Sequence, residues 1–311
     1  MVWFSTLDLR TNYKNEEQEA LVSENENYFQ QIQFTLLREK KPYLSLNATE
    51  MISFSISKKS TFLNPMGVFF SETLKPINYS ADRGLIYQEK DIFFLDGFVR
   101  LKTDESEFLS DYGEYRMRKD EVYVRGNVDS KSIMKTSQDA IVIKSNEAFL
   151  WPEKKLAKYL GNTHGKIIKK HSYEEGLEFK ANELIASQVD QKVDMLGDVW
   201  MKKQDSTATS RKGEIFLENY NKKLKYFVLY DDVKVLEKLR FKDKNGVQVT
   251  AERRGFGERL DGMMSENKFV LTGSPKVVQG TDVIRGNVIV LREDNDVVEV
   301  DDANSNFNIK D

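Results

Sequence analysis

The strongest constraint on this chain is a short pattern that it repeats, in which alternating apolar residues run into Gly or Asp, usually followed by Asn or Asp and then Val. The copies are Phe93-Phe94-Leu95-Asp96-Gly97-Phe98-Val99, Val122-Tyr123-Val124-Arg125-Gly126-Asn127-Val128, Val193-Asp194-Met195-Leu196-Gly197-Asp198-Val199, Phe227-Val228-Leu229-Tyr230-Asp231-Asp232-Val233, Phe269-Val270-Leu271-Thr272-Gly273 and Val283-Ile284-Arg285-Gly286-Asn287-Val288. A weaker copy, Tyr159-Leu160-Gly161-Asn162, fills the gap between the second and third. Spacing is 29 residues from Gly97 to Gly126, then 35 to Gly161, 36 to Gly197, 34 to Asp231 and 42 to Gly273. A unit of about 35 residues holds three or four short strands with their turns. Such repetition predicts a stack of similar units, each burying its apolar side on its neighbours. Its function is then expected along a surface or groove rather than at one catalytic point.

From Tyr28 onward the apolar residues alternate. Gln33-Phe34-Thr35-Leu36, Tyr43-Leu44-Ser45-Leu46, Phe54-Ser55-Ile56-Ser57 and Val68-Phe69-Phe70 lie between turn signals, which predicts strands. Asp82-Arg83-Gly84, Lys242-Asp243-Lys244-Asn245-Gly246 and Glu293-Asp294-Asn295-Asp296 predict hairpin turns, because Gly and Asn tolerate positive φ. The best helical candidate, Ser145 to Tyr159, is interrupted by Trp151-Pro152 and fits a strand better. The expected fold is all-β. Phase then assigns faces: Phe93, Leu95, Gly97, Val99 and Leu101 share one side of a strand, and Asp96, Arg100 and Lys102 the other. The same phase holds for Val122, Val124, Gly126 and Val128, for Val193, Met195, Gly197, Val199 and Met201, and for Ile284, Gly286, Val288 and Val290. Each unit is expected to supply a dry stripe with a glycine gap at its centre. Two readings of that interior stand: plain core between packed sheets, or a hydrophobic groove that the sheets leave open.

Charge and composition remove other classes. Forty-seven Lys and Arg against fifty Asp and Glu give a formal charge of -3, so no basic field exists to hold nucleic acid. The absence of cysteine excludes thiolate metal sites, a cysteine nucleophile and disulfides. His164 and His171, seven residues apart, give no metal-ligand pattern. The acidic run Glu293, Asp294, Asp296, Asp301 and Asp302 lacks the glycine-punctuated loop of a calcium site, and Arg254-Gly255-Phe256-Gly257 is only a fragment of a nucleotide-binding motif. No metal or cofactor is expected. Met1 to Leu7 is apolar but too short to cross a bilayer, and reads equally as the remnant of an anchor or as an ordinary terminus. The stretch from Asp8 to Asn27 reads as a polar linker or short exposed helix.

Phe269 to Gly273, followed by Val277-Val278-Gln279-Gly280-Thr281-Asp282-Val283-Ile284-Arg285-Gly286-Asn287 and a further strand to Val300, resembles the OstA-like repeat of the lipopolysaccharide-transport family, in its LptA branch. The upstream part resembles the LptC branch: an apolar tail, a polar linker, Tyr28-Phe29-Gln30 leading into Lys41-Pro42-Tyr43-Leu44-Ser45-Leu46-Asn47-Ala48-Thr49, and the Gly97 and Gly126 units. The resemblance implies an elongated open β-jellyroll of stacked antiparallel strands. It implies residues 1–27 as anchor remnant and linker, 28–165 as an LptC-like jellyroll, and 166–311 as an LptA-like jellyroll continuous with the first. It further implies a non-enzymatic periplasmic bridge, anchored to the inner membrane, that passes lipopolysaccharide from an inner-membrane ABC transporter toward the outer membrane. Expected partners are the acyl chains of lipid A, the transporter's jellyroll domain, and further LptA-like or outer-membrane jellyrolls joined by edge-strand pairing. On this reading the groove is lined by Phe93, Leu95, Val99, Val122, Val124, Val128, Val193, Met195, Val199, Phe227, Leu229, Val233, Phe269, Leu271, Ile284 and Val288. Asp231 stands where the other strong copies have Gly, and an inward Asp231 would wet the groove there. The rival reading is a structural or adhesive β-solenoid with a closed core. A polysaccharide-processing β-helix enzyme ranks third, since no carboxylate pair recurs at one level.

Overall fold

The computed structural model describes residues 2–4, 26–70, 76–87, 89–133, 139–171, 176–217, 224–242, 248–263, 266, 268–292, 298–301 and 304–306. Every regular element among them is a strand, and the strand pairs are antiparallel. By contacts the chain divides into two compact units, Met1–Ser132 with Ser145–Ala157, and Ile133–Lys144 with Lys158–Asp311. Strands β11 (Ala140–Trp151) and β12 (Leu156–Ile168) contribute residues to both. The polar stretch expected to form a linker falls almost wholly outside the described residues, but Val2–Phe4 forms a strand, β1, paired with residues 34–36.

The first unit is a β-jellyroll built from β1, β2 (Glu26–Arg38), β3 (Lys41–Phe54), β4 (Lys59–Leu63), β5 (Met66–Phe70), β6 (Pro76–Ser80), β7 (Arg83–Tyr87), β8 (Ile92–Lys102), β9 (Ser106–Arg116) and β10 (Glu121–Ile133). Its long strands each serve two layers. In β3, residues 50–54 pair with β4 while 44–47 pair with β5; in β8, 92–96 pair with β7 and 100–102 with β6. One layer thus runs β4, β7, then 92–96 of β8 and 112–116 of β9. The other runs β5, β6, then the far halves of β8 and β9. The layers meet through aromatic side chains: the ring centroid of Phe69 is 4.2 Å from Tyr115, 4.3 Å from Tyr79 and 6.1 Å from Phe93. Because β6 and β7 pair with different neighbours, Asp82 turns the chain between layers and is not the hairpin tip that the sequence suggested. Residues 55–58, expected to continue a strand, form the turn between β3 and β4.

The second unit repeats this plan with β13 (Leu177–Ser187), β14 (Lys192–Lys203), β15 (Ser206–Leu217), β16 (Leu224–Lys242), β17 (Gln248–Met263), β18 (Lys268–Thr272), β19 (Lys276–Gln279), β20 (Asp282–Arg285), β21 (Val288–Arg292), β22 (Val298–Asp301) and β23 (Asn304–Asn306). Residues 259–263 of β17 pair with β18, which continues to β21 and β22, while 253–256 pair with β19, which continues to β20 and β23.

Local backbone chemistry turns β8, β10, β12, β14 and β16 at their corners. Two successive residues take left-handed conformations at Gly97 and Phe98 (φ 78° and 43°), Gly126 and Asn127 (77° and 47°), Gly161 and Asn162 (72° and 50°), Gly197 and Asp198 (73° and 49°), Asp231 and Asp232 (63° and 55°), and Gly273 and Ser274 (75° and 55°). Within β8 and β14 the pair adds one residue to the ladder: Leu196 pairs with Lys212 but Val199 with Ser210, which is a β-bulge that bends the strand. Left-handed backbone costs an L-residue about 1–2 kcal/mol and suits Gly best, then Asn and Asp. The repeat therefore spells Gly followed by Asn or Asp because the corner requires it. This corrects the expectation of an interior notched by glycines: a Cβ on Gly197 would stand 2.8 Å from Nδ2 of Asn182, an exposed side chain. Gly286 and Asn287 lie between β20 and β21, where the chain changes layers, and lack the paired positive φ.

Candidate functional site

Fourteen of the sixteen side chains singled out from the sequence are buried, from Phe93, Val124, Met195, Leu229 and Leu271 at 0% exposure to Val193 and Phe269 at 4%. Ile284 and Val288 are half-buried instead. The corner absent at Gly286 shifts the phase, so β21 buries Ile289 and Leu291 at 0% exposure. Asp231 faces outward, with its side chain 52% exposed and 3.6 Å from Lys212 Nζ. It therefore does not wet the interior.

The two interiors differ in chemistry. In the first unit the space between layers holds Phe34, Phe62, Phe69, Tyr79, Phe93 and Tyr115, with Phe93 edge-on to Phe62, Phe69 and Tyr79 at 6.1, 6.1 and 5.4 Å. The buried Tyr79 hydroxyl donates to Ser45 O at 3.0 Å, and burial pushes its pKa well up. In the second unit the interior is mostly aliphatic. Met195 and Leu229 reach to 2.6 and 2.8 Å of the point where Gly213 would carry a Cβ, and Gly255 admits Leu271 from the facing layer. Straight and branched aliphatic side chains repack more readily than interlocked rings.

Among the described residues, the layers are joined covalently on one side only. Strands cross between layers at the corners, whereas the hairpins return within one layer, as at Lys203 and Ser206 or Leu217 and Leu224. On the side away from the corners, arginines join the layers. Arg38 at the end of β2 donates from Nη1 to Met117 O at 3.1 Å in the first unit, and Arg253 of β17 donates from Nη2 to Arg292 O at 3.3 Å in the second. Arg253 is fully buried, and its Nε is 2.7 Å from Glu237 Oε2, the cross-strand partner.

Sequence reasoning missed three features. The Arg253–Glu237 pair occupies inward phase, where charge was not sought. Return strands carry buried serines that brace the corner through a hydrogen bond to the carbonyl two residues on: Ser110 to Tyr112, Ser145 to Glu147 and Ser210 to Lys212, at 3.0, 2.9 and 2.7 Å. Their signal is a serine three residues before Gly113, Ala148 or Gly213. The third is a concavity of about 630 Å³ on the outward face of the first unit, lined by Ile52, Leu63, Leu85, Phe94 and Tyr112 with the Arg83–Asp96 ion pair. Its signal is the run of large apolar residues in outward phase. Among the described residues no cluster of His, Asp and Glu is arranged to hold a metal, and no helix is long and apolar enough to cross a membrane.

A family model described as LptA/(LptD N-terminal domain) LPS transport protein matches residues 178–297. That stretch is LptA-like. It spans β13 to β21 and so contains Met195, Leu229, Glu237 and Arg253. No curated protein matches the chain. Among solved structures, LptH, the LptA homologous periplasmic component of the lipopolysaccharide transport device from Pseudomonas aeruginosa, is similar over 43% of this chain and 95% of its own, with 13% identity and a TM-score of 0.37. At that identity and score the likeness carries no functional weight beside the family match. The LptA-like segment lies wholly within the second unit.

Proposed function

We propose that the protein is a non-enzymatic carrier of lipopolysaccharide in the periplasm, whose jellyroll interior receives the acyl chains when the two layers part on the side away from the corners. The observation that carries this reading is the buried apolar stripe of the LptA-like segment, repeated in the same phase at Val193, Met195 and Val199 and at Phe227, Leu229 and Val233. An alkyl chain entering such a space gains about 0.8 kcal/mol per methylene. It also takes the place of the side chains that packed across the gap before the layers separated, so loading and release differ little in free energy. Repetition of similar sites suits passage from one to the next.

On this reading the first unit is LptC-like and linked to the inner membrane, and partners add at sheet edges. Among the described residues, 26–30 of β2 pair on one side only, with β3, and β22 pairs on one side only, with β21. Unpaired edges invite strand addition by a similar fold. Val288 lies in β21 between β18 and β22, so among the described residues the free edge is β22. Photo-crosslinking from Val298 in cells is expected to capture a jellyroll partner. To test the carrier reading, purified protein is titrated with radiolabelled lipopolysaccharide. Saturable binding is expected, weakened by about tenfold or more in Met195→Gln, where a polar amide must be buried, and unchanged in Lys202→Gln on the exposed face. No saturable binding by the folded wild type overturns the proposal in favour of a closed structural solenoid.

A further inference from the structure

The interior of the second unit carries a row of charge, with buried Leu239 beyond it. Register places Met201, Ala208, Val235, Gly255 and Val277 side by side across five strands as one buried apolar row. Two residues further from the corner the next inward row reads Lys203, Ser206, Glu237 and Arg253. Lys203, Glu237 and Arg253 are 8%, 2% and 0% exposed, so the buried part of this row holds two cations and one anion. Arg253 uses Nε on Glu237 and Nη2 on Arg292 O, but Nη1 is buried with no hydrogen-bond partner among the described residues. A buried donor left unpaired is costly, and a guanidinium offers its two terminal nitrogens as a fork that fits an oxyanion.

We propose that Arg253 is the headgroup-binding residue of this interior, taking a phosphate of a phosphorylated amphiphile whose alkyl chains lie along the neighbouring apolar rows. The assignment deepens the carrier reading and rests on it. The interior itself is amphipathic, with a charged row set among apolar ones, and that row lies on the side away from the corners. Phosphate on Nη1 and Nη2 satisfies the orphaned donor while Glu237 stays on Nε. Nη2 carries two hydrogens, so it can serve the phosphate with one and keep Arg292 O on the other.

The test uses the full chain and three probes: dodecyl phosphate, dodecyl maltoside and inorganic phosphate. Wild type is expected to bind dodecyl phosphate about tenfold or more tightly than the uncharged dodecyl maltoside, as loss of a charge-assisted hydrogen bond implies. Arg253→Gln is expected to abolish that preference, bringing the ratio of the two affinities to within about twofold of one. Since Arg253→Gln takes the guanidinium away from buried Glu237, the double variant Glu237→Gln with Arg253→Gln provides a neutral pair and is expected to lose the preference equally. Equal affinity of wild type for the two amphiphiles, or a preference that survives in both variants, overturns the assignment of Arg253 and leaves the carrier reading intact. Binding of inorganic phosphate as tight as dodecyl phosphate overturns the headgroup assignment in favour of free phosphate. Binding of neither amphiphile by wild type removes the carrier reading and the Arg253 site with it.

Discussion

At single residues the repeat is a backbone demand before it is a binding motif. Gly197→Ala is expected to destabilise by about 1–2 kcal/mol, because φ of 73° places alanine in the left-handed region. Asp231→Gly is expected to stabilise by up to about 1 kcal/mol, because it relieves the same strain at φ 63° and gives up only an exposed contact to Lys212. Urea denaturation of both variants checks the opposite signs. Phe98 holds the second corner position at φ 43° and is 87% exposed; Phe98→Asn is expected to gain about 0.5–1 kcal/mol. Titration gives an independent check. Burial, and then its hydrogen bond to Glu214, pushes the Tyr230 hydroxyl from 10.0 up to about 12. A raised value means that the folded state holds a proton that the unfolded state releases. The stabilisation is complete below pH 10 and is lost as pH climbs from 10 to about 12. The denaturation midpoint of wild type relative to Tyr230→Phe is therefore expected to fall across that interval, and a constant difference contradicts it.

At the level of elements, much was legible because a strand's period is two and its caps are chemical. The stripes at 93–99, 122–128, 193–199 and 227–233 were assigned to the correct face, since alternation survives a bulge whose two left-handed residues leave Val99 and Val199 inward. The glycines were placed but misread, because a side chain's absence looks the same whether it spares an interior or permits positive φ. Phase failed in the last copy for a related reason. Gly286-Asn287 spells the corner, but it joins two short strands in different layers, so Ile289 and Leu291 go inward in place of Val288. The Arg253–Glu237 pair was illegible because each residue alone resembles a solvated charge, and only the register of β16 on β17 brings them together. Phe93→Ala is expected to cost about 3–5 kcal/mol, since Phe93 meets three rings across both layers.

For the whole molecule, the division of labour follows from what fills each unit. Interlocked rings fill the first unit's interior, whereas the LptA-like segment of the second holds mostly aliphatic rows with one row of charge among them. The carrier account therefore assigns alkyl-chain uptake first to the second unit, and the adjacent residues Met195 and Leu196 discriminate it. Met195 is fully buried between the layers, while Leu196 points to the opposite face and is 38% exposed. A photoreactive diazirine amino acid placed at position 195, and separately at 196, is irradiated in cells that make lipopolysaccharide. In protein that keeps the wild-type unfolding midpoint, the account predicts lipopolysaccharide adducts at 195 and not at 196. Adducts at neither position, or at 196 alone, would mean that the layers do not part and that the interior is a sealed core.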